Sequence, residues 1–226
     1  MKVDIWLLNR QAFRAFSYPW NTFLSAEKSQ RAERLCFPEQ KTEFVFYHAC
    51  KRLILSQYLK ENPQNIVIET DVNGKPFLPN HDISFNLSHT IGMGIIAVTQ
   101  GFEIGIDIEK VKPLHNYFDL VKRFFHKSEY QYLKQISTEK ERQKMFFHLW
   151  TVKEALLKAT GQNLLANLQR PVISSESVQS NAYAISEHNA FALSLQVPKP
   201  YVATLVSQHA CVPIYRSFKQ VLLKYL

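Results

Sequence analysis

The chain of 226 residues contains few cysteines, and they are scattered. Cys36, Cys50 and Cys211 form no C-x-x-C pair, so the sequence predicts neither a disulfide framework nor a zinc site built on cysteine. The eight histidines include no H-E-x-x-H and no H-x-x-x-H pair. The familiar histidine signatures of zinc are therefore missing as well.

Long apolar runs are also absent from the sequence. No uninterrupted apolar stretch approaches the roughly 20 residues needed to span a bilayer. The N-terminus, with Asp4 and Arg10 around a short apolar patch, lacks the layout of a signal peptide. We therefore expect a cytoplasmic protein.

Acidic residues are outnumbered by basic ones, and the formal net charge is +8 at pH 7. Such a charge favours a partner that carries negative charge: nucleic acid, an anionic membrane, a phosphorylated cofactor or an acidic protein. The composition is otherwise that of a folded protein, with 46% hydrophobic and 20% charged residues. At this length the chain forms one large domain or two small ones.

Apolar periodicity predicts helices and strands in both halves of the chain. Predicted helices cover roughly residues 39–59, 117–125, 128–136 and 140–160, and the tail at 215–226 is expected to be helical or frayed. Predicted strands cover residues 2–7, 66–69, 83–87, 95–98, 182–186, 191–197 and 201–207. Ser25 and Ser128 are candidate helix N-caps, and Gly161 is a candidate helix end.

A run at residues 104–109 alternates isoleucine with glycine or an acid, I-G-I-D-I-E. This period of two predicts a strand with one apolar and one polar face, and it puts Asp107 and Glu109 on the same face. Two neighbouring carboxylates repel each other unless a cation lies between them. Oxygen ligands alone would favour Mg²⁺ or Mn²⁺, whereas a solvent-exposed strand end would need no metal.

A later run at residues 150–158 predicts a helix on which Trp150, Glu154 and Lys158 lie in one stripe. A third carboxylate and an ammonium group would then project together. Taken alone, the spacing of Glu154 and Lys158 also fits an ordinary surface pair that contributes about 0.3 kcal/mol.

Together with three shorter motifs, these two runs resemble the signature of 4′-phosphopantetheinyl transferases of the surfactin-synthetase-activating (Sfp) type. The matching motifs are G-K-P at residues 74–76, F-N-L-S-H at 85–89, G-I-D-I-E at 105–109, R-F-F-x-x-x-E at 123–129 and W-T-V-K-E-A-x-x-K-x-x-G at 150–161. Their order and spacing agree with the family pattern from about residue 24 to residue 164.

The resemblance implies an α+β fold of two halves related by a pseudo-twofold axis, each with helices packed on an antiparallel meander. Coenzyme A and a metal ion are expected in the cleft between the halves. The basic, proline-containing link at residues 110–113 is typical of a boundary. We therefore expect an N-terminal half at residues 1–109 and a C-terminal half at residues 110–226.

The resemblance also implies a reaction. A serine hydroxyl of an apo acyl or peptidyl carrier protein attacks the β-phosphorus of coenzyme A, and 3′,5′-ADP is released. The matching acidic residues Asp107, Glu109 and Glu154 are then expected to bind Mg²⁺, with Mn²⁺ as the alternative. Either Glu154 or Glu129, which matches a family glutamate near the metal, would accept the serine proton.

Residues that match the coenzyme A site of the family are expected to bind this cosubstrate. Those positions are Lys28, Arg31, Lys75, Pro76, Ser88, His89 and Lys158. By resemblance, Lys28 and Arg31 would hold the 3′-phosphate, and Ser88 and His89 would contact the other phosphates. His89 and Lys158 are also expected to be catalytic, because their positive charge would lie beside the pyrophosphate as it is cleaved.

The expected partners are coenzyme A and an acidic carrier protein, which the net positive charge fits. We expect residues 124–141 to contact the carrier, and we expect a monomer that binds neither nucleic acid nor membrane. One position departs from the family pattern. Many members have an arginine in the first turns of the long helix, where this chain has Glu43 and offers only Lys41 as a substitute.

Two other functions fit parts of this pattern. A metal-dependent nuclease would also use clustered carboxylates, a lysine and a basic surface, but the sequence lacks a second set of oxygen and histidine ligands. A non-catalytic adaptor that binds coenzyme A or a carrier protein would not need the charged cluster, which costs stability when it is empty. Transfer to a carrier protein is therefore the preferred hypothesis.

Overall fold

The computed structural model describes residues 1–13, 18–161, 169–172, 180–185 and 189–225. Within these ranges the chain forms ten strands and seven α-helices, which confirms the predicted α+β class. The strands are β1 (Lys2–Asn9), β2 (Glu69–Thr70), β3 (Pro76–Phe77), β4 (Ile83–Thr90), β5 (Met93–Gln100), β6 (Ile104–Lys110), β7 (Ala182–Ile185), β8 (Ala190–Ser194), β9 (Tyr201–Ser207) and β10 (Val212–Arg216). The helices are α1 (Arg10–Phe13), α2 (Ala26–Glu33), α3 (Pro38–Leu59), α4 (Tyr117–Phe124), α5 (Lys127–Gln135), α6 (Glu139–Thr160) and α7 (Phe218–Leu222).

Four strands form a first sheet in the order β10-β1-β5-β4. β1 runs parallel to β10 and antiparallel to β5, and β4 and β5 form an antiparallel hairpin. The 22-residue helix α3 packs on this sheet. Its buried Leu53 and Ile54 lie in the same hydrophobic core as Leu8, Phe85 and Ile96.

Four other strands form a second, fully antiparallel sheet in the order β6-β9-β8-β7. The second 22-residue helix, α6, packs on it. The predicted end of this helix is confirmed, because Gly161 has a φ of +65°, which glycine adopts at little cost. The prediction of Ser128 as an N-cap is wrong, since the side chain of His126 caps α5 instead.

The sheets divide the chain differently from the sequence prediction. β6 pairs with β9 in the second sheet, so the predicted boundary between residues 109 and 110 falls inside a strand. The tail also returns to the first sheet, because β10 pairs with β1 and α7 packs in the core beside α3. We propose instead a boundary in the turn between β5 and β6, with the tail counted in the first half.

The isoleucines of β6 pack between the two sheets. Ile104, Ile106 and Ile108 are fully buried and share a core with Ile5 and Ile95 of the first sheet. The predicted apolar face of this strand is therefore confirmed, and its other face is turned toward α6. Within the described ranges, no helix is long and apolar enough to cross a bilayer.

Candidate active site

Helix α6 lies directly on the backbone of β6 at Gly105. A Cβ atom at Gly105 would lie 2.0 Å from the carbonyl oxygen of Ala155 and 2.3 Å from the backbone nitrogen of Ala159. No side chain fits in that space, so the close approach of α6 depends on glycine. Because residues two positions apart share a face of a strand, Asp107 and Glu109 also face α6.

Three side chains from three elements meet at Asp107. Lys158 of α6 donates from Nζ to Asp107 Oδ1 at 2.7 Å. Ser88 of β4 donates from Oγ to the same oxygen at 2.7 Å, and Lys158 Nζ lies 3.1 Å from Ser88 Oγ. The structure thus joins Ser88, Asp107 and Lys158, which the sequence separates by 19 and 51 positions.

Glu109 and Glu154 lie close enough to Asp107 for its carboxylate to affect their ionisation. Glu109 accepts a hydrogen bond from Thr90 Oγ1 at 3.1 Å. Burial raises the pKa of Glu109, and the Asp107 carboxylate raises it further. Burial also raises the pKa of Glu154. The Asp107 and Glu109 carboxylates raise this pKa further, and the Lys158 ammonium lowers it. The three predicted metal ligands therefore form one cluster of mutually repelling carboxylates.

The donor set of this cluster suits a hard divalent cation. Asp107 is 4% exposed, and its Oδ2 atom is buried without a hydrogen-bond partner among the described residues. An unpartnered buried carboxylate oxygen is costly, and a cation would satisfy it. In the described part of the chain, no three His, Cys, Asp or Glu side chains are close enough to enclose an ion by themselves. The fit is therefore to an ion such as Mg²⁺ that takes its other ligands from water and substrate.

The ring of His89 stacks on the ring of Tyr47, with centroids 4.7 Å apart and planes 13° apart. Gly94 makes room for this arrangement, because a Cβ atom there would lie 2.4 Å from Tyr47 Cε1. Desolvation lowers the pKa of His89, an effect that Glu43 opposes and Lys158 strengthens. The imidazole is therefore largely neutral near pH 7 when no ligand is bound.

Lys28 and Arg31 lie on α2, which begins at the predicted N-cap Ser25. Both line a cavity of about 870 Å³ between α2, α3 and the segment at residues 64–70. Lys28 pairs with the exposed Glu27 at 3.1 Å, so its ammonium is only partly neutralised. The structure therefore brings Lys28 and Arg31 together, but at a different cavity from the carboxylate cluster.

Lys75 and Pro76 follow a tight turn in which Asp71 Oδ1 accepts from the backbone nitrogens of Asn73 and Lys75. The ammonium of Lys75 donates to the carbonyl oxygen of Ala159 at 3.0 Å and pairs with Glu103. Lys75 therefore ties the turn to the end of α6.

A second cavity, of about 400 Å³, lies behind this turn. Lys75 and Pro76 line it together with Glu154 and Lys158 of α6. Pro76 also lines the larger cavity that contains Lys28, so the two cavities meet at this proline. The cavity that contains Lys28 and Arg31 is thus continuous with the cavity that contains Glu154 of the carboxylate cluster.

The sequence matches known transferases over most of its length. The profile of the 4′-phosphopantetheinyl transferase superfamily matches residues 103–206. A Synechocystis sp. protein named as a candidate 4′-phosphopantetheinyl transferase is 35% identical over 167 residues, which cover 73% of this chain and 67% of that protein. The chain belongs to the 4′-phosphopantetheinyl transferase superfamily.

Two further superfamily members resemble the chain. The 4′-phosphopantetheinyl transferase HetI of Nostoc sp. is 38% identical over 145 residues, or 62% of this chain and 61% of the relative. The 4′-phosphopantetheinyl transferase Sfp of Bacillus subtilis is 28% identical over 197 residues, or 86% of this chain and 80% of the relative. The chain thus spans less than two thirds of HetI. The family named from the sequence motifs is confirmed.

Glu129, the alternative base predicted from the motifs, lies in a fully bonded, buried position. Its side chain is 0% exposed and pairs with Lys153 of α6 at 2.8 Å. Its two oxygens also accept from the backbone nitrogens of Val172 and His126, at 2.8 and 3.1 Å. A carboxylate that is fully buried and fully bonded cannot reach a carrier serine, so we do not retain Glu129 as a base.

Glu43, the departure from the superfamily pattern, pairs with Arg10 at 3.3 Å. Lys41 does not replace the missing arginine, because it pairs with Glu33 of α2 at 2.7 Å. Sequence reasoning missed the contribution of Arg10, which lies in α1, outside every motif.

Two other residues of α3 were missed. Tyr47 supports His89, and Lys51 lines both cavities. Lys51 could have been found from the sequence. It is a charged residue at a helix position where the neighbouring turns have apolar residues.

Proposed function

We propose that the protein transfers the 4′-phosphopantetheine group from coenzyme A to a serine of an apo acyl or peptidyl carrier protein, releasing 3′,5′-ADP with the help of Mg²⁺. The observation that supports this most is the unpartnered Oδ2 of Asp107 within the carboxylate cluster, beside Lys158. Family membership supports the class of reaction, and this cluster supports a location for it beside Asp107 and Lys158.

Asp107, Glu109 and Glu154 would hold the metal ion. These three carboxylates offer oxygen ligands, and such a set favours Mg²⁺ or Mn²⁺ over zinc. When bound, the ion supplies positive charge against the pyrophosphate oxygens of coenzyme A.

Cations on both sides of Pro76 would bind the phosphates. Lys158 and Ser88 contact the pyrophosphate, and Lys158 gives up part of its bond to Asp107 to do so. His89 donates a hydrogen bond to the pyrophosphate and so stabilises the negative charge that gathers on the leaving group. Lys28 and Arg31 hold the 3′-phosphate, since charge-assisted hydrogen bonds are roughly twice as strong as neutral ones.

Glu154 would act as the general base. It takes the proton of the carrier serine while the serine Oγ forms a bond to the β-phosphorus. The bond from that phosphorus to the bridging oxygen breaks, and its electron pair leaves with 3′,5′-ADP. Glu154 lines the 400 Å³ cavity, so its carboxylate is open to a substrate that binds there.

The carrier is proposed to be acidic and to contact residues 124–141, with the protein acting as a cytoplasmic monomer. The net charge of +8 supports attraction to an acidic carrier. In this scheme Lys75 and Pro76 lie against the adenosine portion of coenzyme A.

Mass spectrometry of an apo carrier protein tests this proposal. The carrier is incubated with the protein, coenzyme A and Mg²⁺, beside an Asp107→Asn variant and a sample with EDTA. We expect a gain of one phosphopantetheine that both controls lose. If several unrelated carriers gain nothing while coenzyme A still binds in calorimetry, the proposal fails and a non-catalytic adaptor is favoured.

A further inference from the structure

Lys51 is a lysine buried in the middle of α3. It is 5% exposed, and its Nζ lies 5.8 Å from the centroid of the Phe85 ring. No carboxylate or carbonyl of the described residues accepts a hydrogen bond from it. An ammonium group that is largely withdrawn from water without an acceptor in the protein is unfavourable, so its position needs an explanation.

The neighbouring Arg52 shows how α3 treats a buried cation that serves the fold. It is 6% exposed, yet its guanidinium donates to the carbonyl oxygens of Pro63, Gln64 and Ile66 at 2.8, 3.0 and 2.7 Å. These bonds fix the segment that follows α3. Arg52 is therefore bonded to three carbonyl oxygens of the protein, whereas the adjacent Lys51 has no such acceptor among the described residues.

The ammonium of Lys51 lies where the two cavities of the site meet. It lines the 870 Å³ cavity with Lys28 and Arg31, and it lines the 400 Å³ cavity with Lys158. Burial lowers the pKa of Lys51 to about 8, and Lys28 lowers it too, yet the group remains mostly charged at pH 7. Its hydrogen-bond donors are therefore available to a ligand in the cavity.

The charge around the larger cavity matches a dianion. Its lining holds four cations, Lys28, Arg31, Lys51 and Arg52, and two carboxylates, Glu27 and Glu69. His48 adds no charge near neutrality, because burial lowers its pKa to about 3. The net charge of +2 equals that of a phosphate monoester in magnitude, whereas a phosphodiester carries only one charge.

We propose that Lys51 is a specificity-determining residue that binds a phosphate monoester at the junction of the two cavities. This inference rests on the proposed function, in which the 3′-phosphate of coenzyme A is that group. Lys51 then supplies the buried contact and Lys28 and Arg31 supply the outer ones. The contact distinguishes ligands that carry the monoester from ligands that lack it.

Isothermal titration calorimetry with coenzyme A and 3′-dephospho-coenzyme A tests the assignment. Lys51→Met keeps the length and apolar contacts of the side chain but removes the charge. We expect the affinity for coenzyme A to fall about 10-fold to 100-fold, as for the loss of one charged hydrogen bond. 3′-Dephospho-coenzyme A carries no phosphate monoester, so its affinity should change less than about threefold. Lys219→Met removes one exposed charge from α7 and should change neither affinity.

Melting temperature without ligand provides an independent measurement. Since Lys51 is buried without an acceptor, Lys51→Met should raise the melting temperature by about 2 °C or more, although it weakens binding. A residue with a purely structural role would lower the melting temperature when replaced. Lys51→Arg should retain much of the affinity for coenzyme A.

Three outcomes would overturn the assignment. They are unchanged binding of coenzyme A by Lys51→Met, equal losses for both ligands, and a wild-type protein that prefers neither ligand. Failure of the proposed function is a separate result, because the wild type would then bind coenzyme A but leave every carrier unmodified.

Discussion

The two long helices bury the same side chain in different ways. α3 and α6 each have 22 residues and a lysine near a phenylalanine ring, with Lys51 5.8 Å from Phe85 and Lys153 5.1 Å from Phe125. Lys153 pairs with Glu129, whereas Lys51 has no acceptor in the part of the chain that the structure describes. A buried cation with its own acceptor holds a fold together, and one without an acceptor marks a place for a ligand.

Removing the paired lysine of α6 should have the largest effect on stability. Lys153→Met leaves the Glu129 carboxylate fully buried without its counter-ion, so we expect the free energy of unfolding to fall by about 3–5 kcal/mol. Denaturant titration measures this loss. The double variant Lys153→Met with Glu129→Gln should regain much of it, because no unpaired charge remains. If Lys153→Met and Lys51→Met changed stability alike, the contrast between the helices would be wrong.

Replacing the glycines that contact the two long helices should have the next largest effect on stability, and the two variants should differ in the size of that effect. Gly105→Ala forces a Cβ atom against the backbone of α6, and Gly94→Ala forces one against the Tyr47 ring. Overpacking of this kind costs about 1–3 kcal/mol, and we expect Gly105→Ala to lie at the upper end because a helix backbone cannot move aside like a ring. Thermal unfolding compares the two. A smaller loss for Gly105→Ala than for Gly94→Ala would contradict this view of α6 packing.

Each long helix also carries a half-buried histidine, and both histidines should make the protein sensitive to acid. Burial lowers the pKa of His48 to about 3 and that of His148 to about 4, with neighbouring lysines contributing. Below pH 6.5 the unfolded chain binds a proton at each histidine before the folded protein does. Stability should therefore fall as pH drops from about 6.5 toward 4, by up to about 1.4 kcal/mol per pH unit for each histidine.

Single substitutions assign this slope. His148→Gln and His48→Gln should each flatten the dependence of unfolding free energy on pH in that window. An unchanged slope in both variants would mean that the histidines already take up protons in the folded state.

The ion pair of α3 with α1 should matter least for stability. Arg10 and Glu43 are partly exposed, and a pair of this kind contributes about 0–1 kcal/mol. Glu43→Gln should therefore change stability little, but it should lower the pKa of His89 further, because the Glu43 carboxylate raises it. An NMR titration of His89 measures the shift. Glu33→Gln, which breaks the exposed pair with Lys41, should leave that pKa unchanged.

Local patterns in the sequence were enough to predict much of the fold. The alternation of apolar and polar residues in β6 predicted which face of the strand is apolar, and Gly161 predicted where α6 ends. Each depends on backbone geometry within a few residues, which a single sequence records. The segment at residues 66–69 was only partly right, because the strand there is β2, Glu69–Thr70.

Long-range pairing was not recorded in any local pattern. β10 pairs with β1 across almost the whole chain, and its short sequence with Pro213 gives only a weak strand signal. The motif glutamate Glu129 was given a catalytic role because a motif does not state which way a side chain points. Likewise, Lys51 lies inside the apolar stripe of α3, and only the tertiary structure shows that no acceptor reaches it.

The return of the tail to the first sheet has a consequence for biosynthesis. β1 leaves the ribosome long before β10, so one of its edges stays unpaired until β10 has been made. Until then the nascent protein exposes a strand edge that other chains can pair with. We therefore expect a chain truncated before residue 212 to aggregate during expression, even though it retains every residue of the carboxylate cluster.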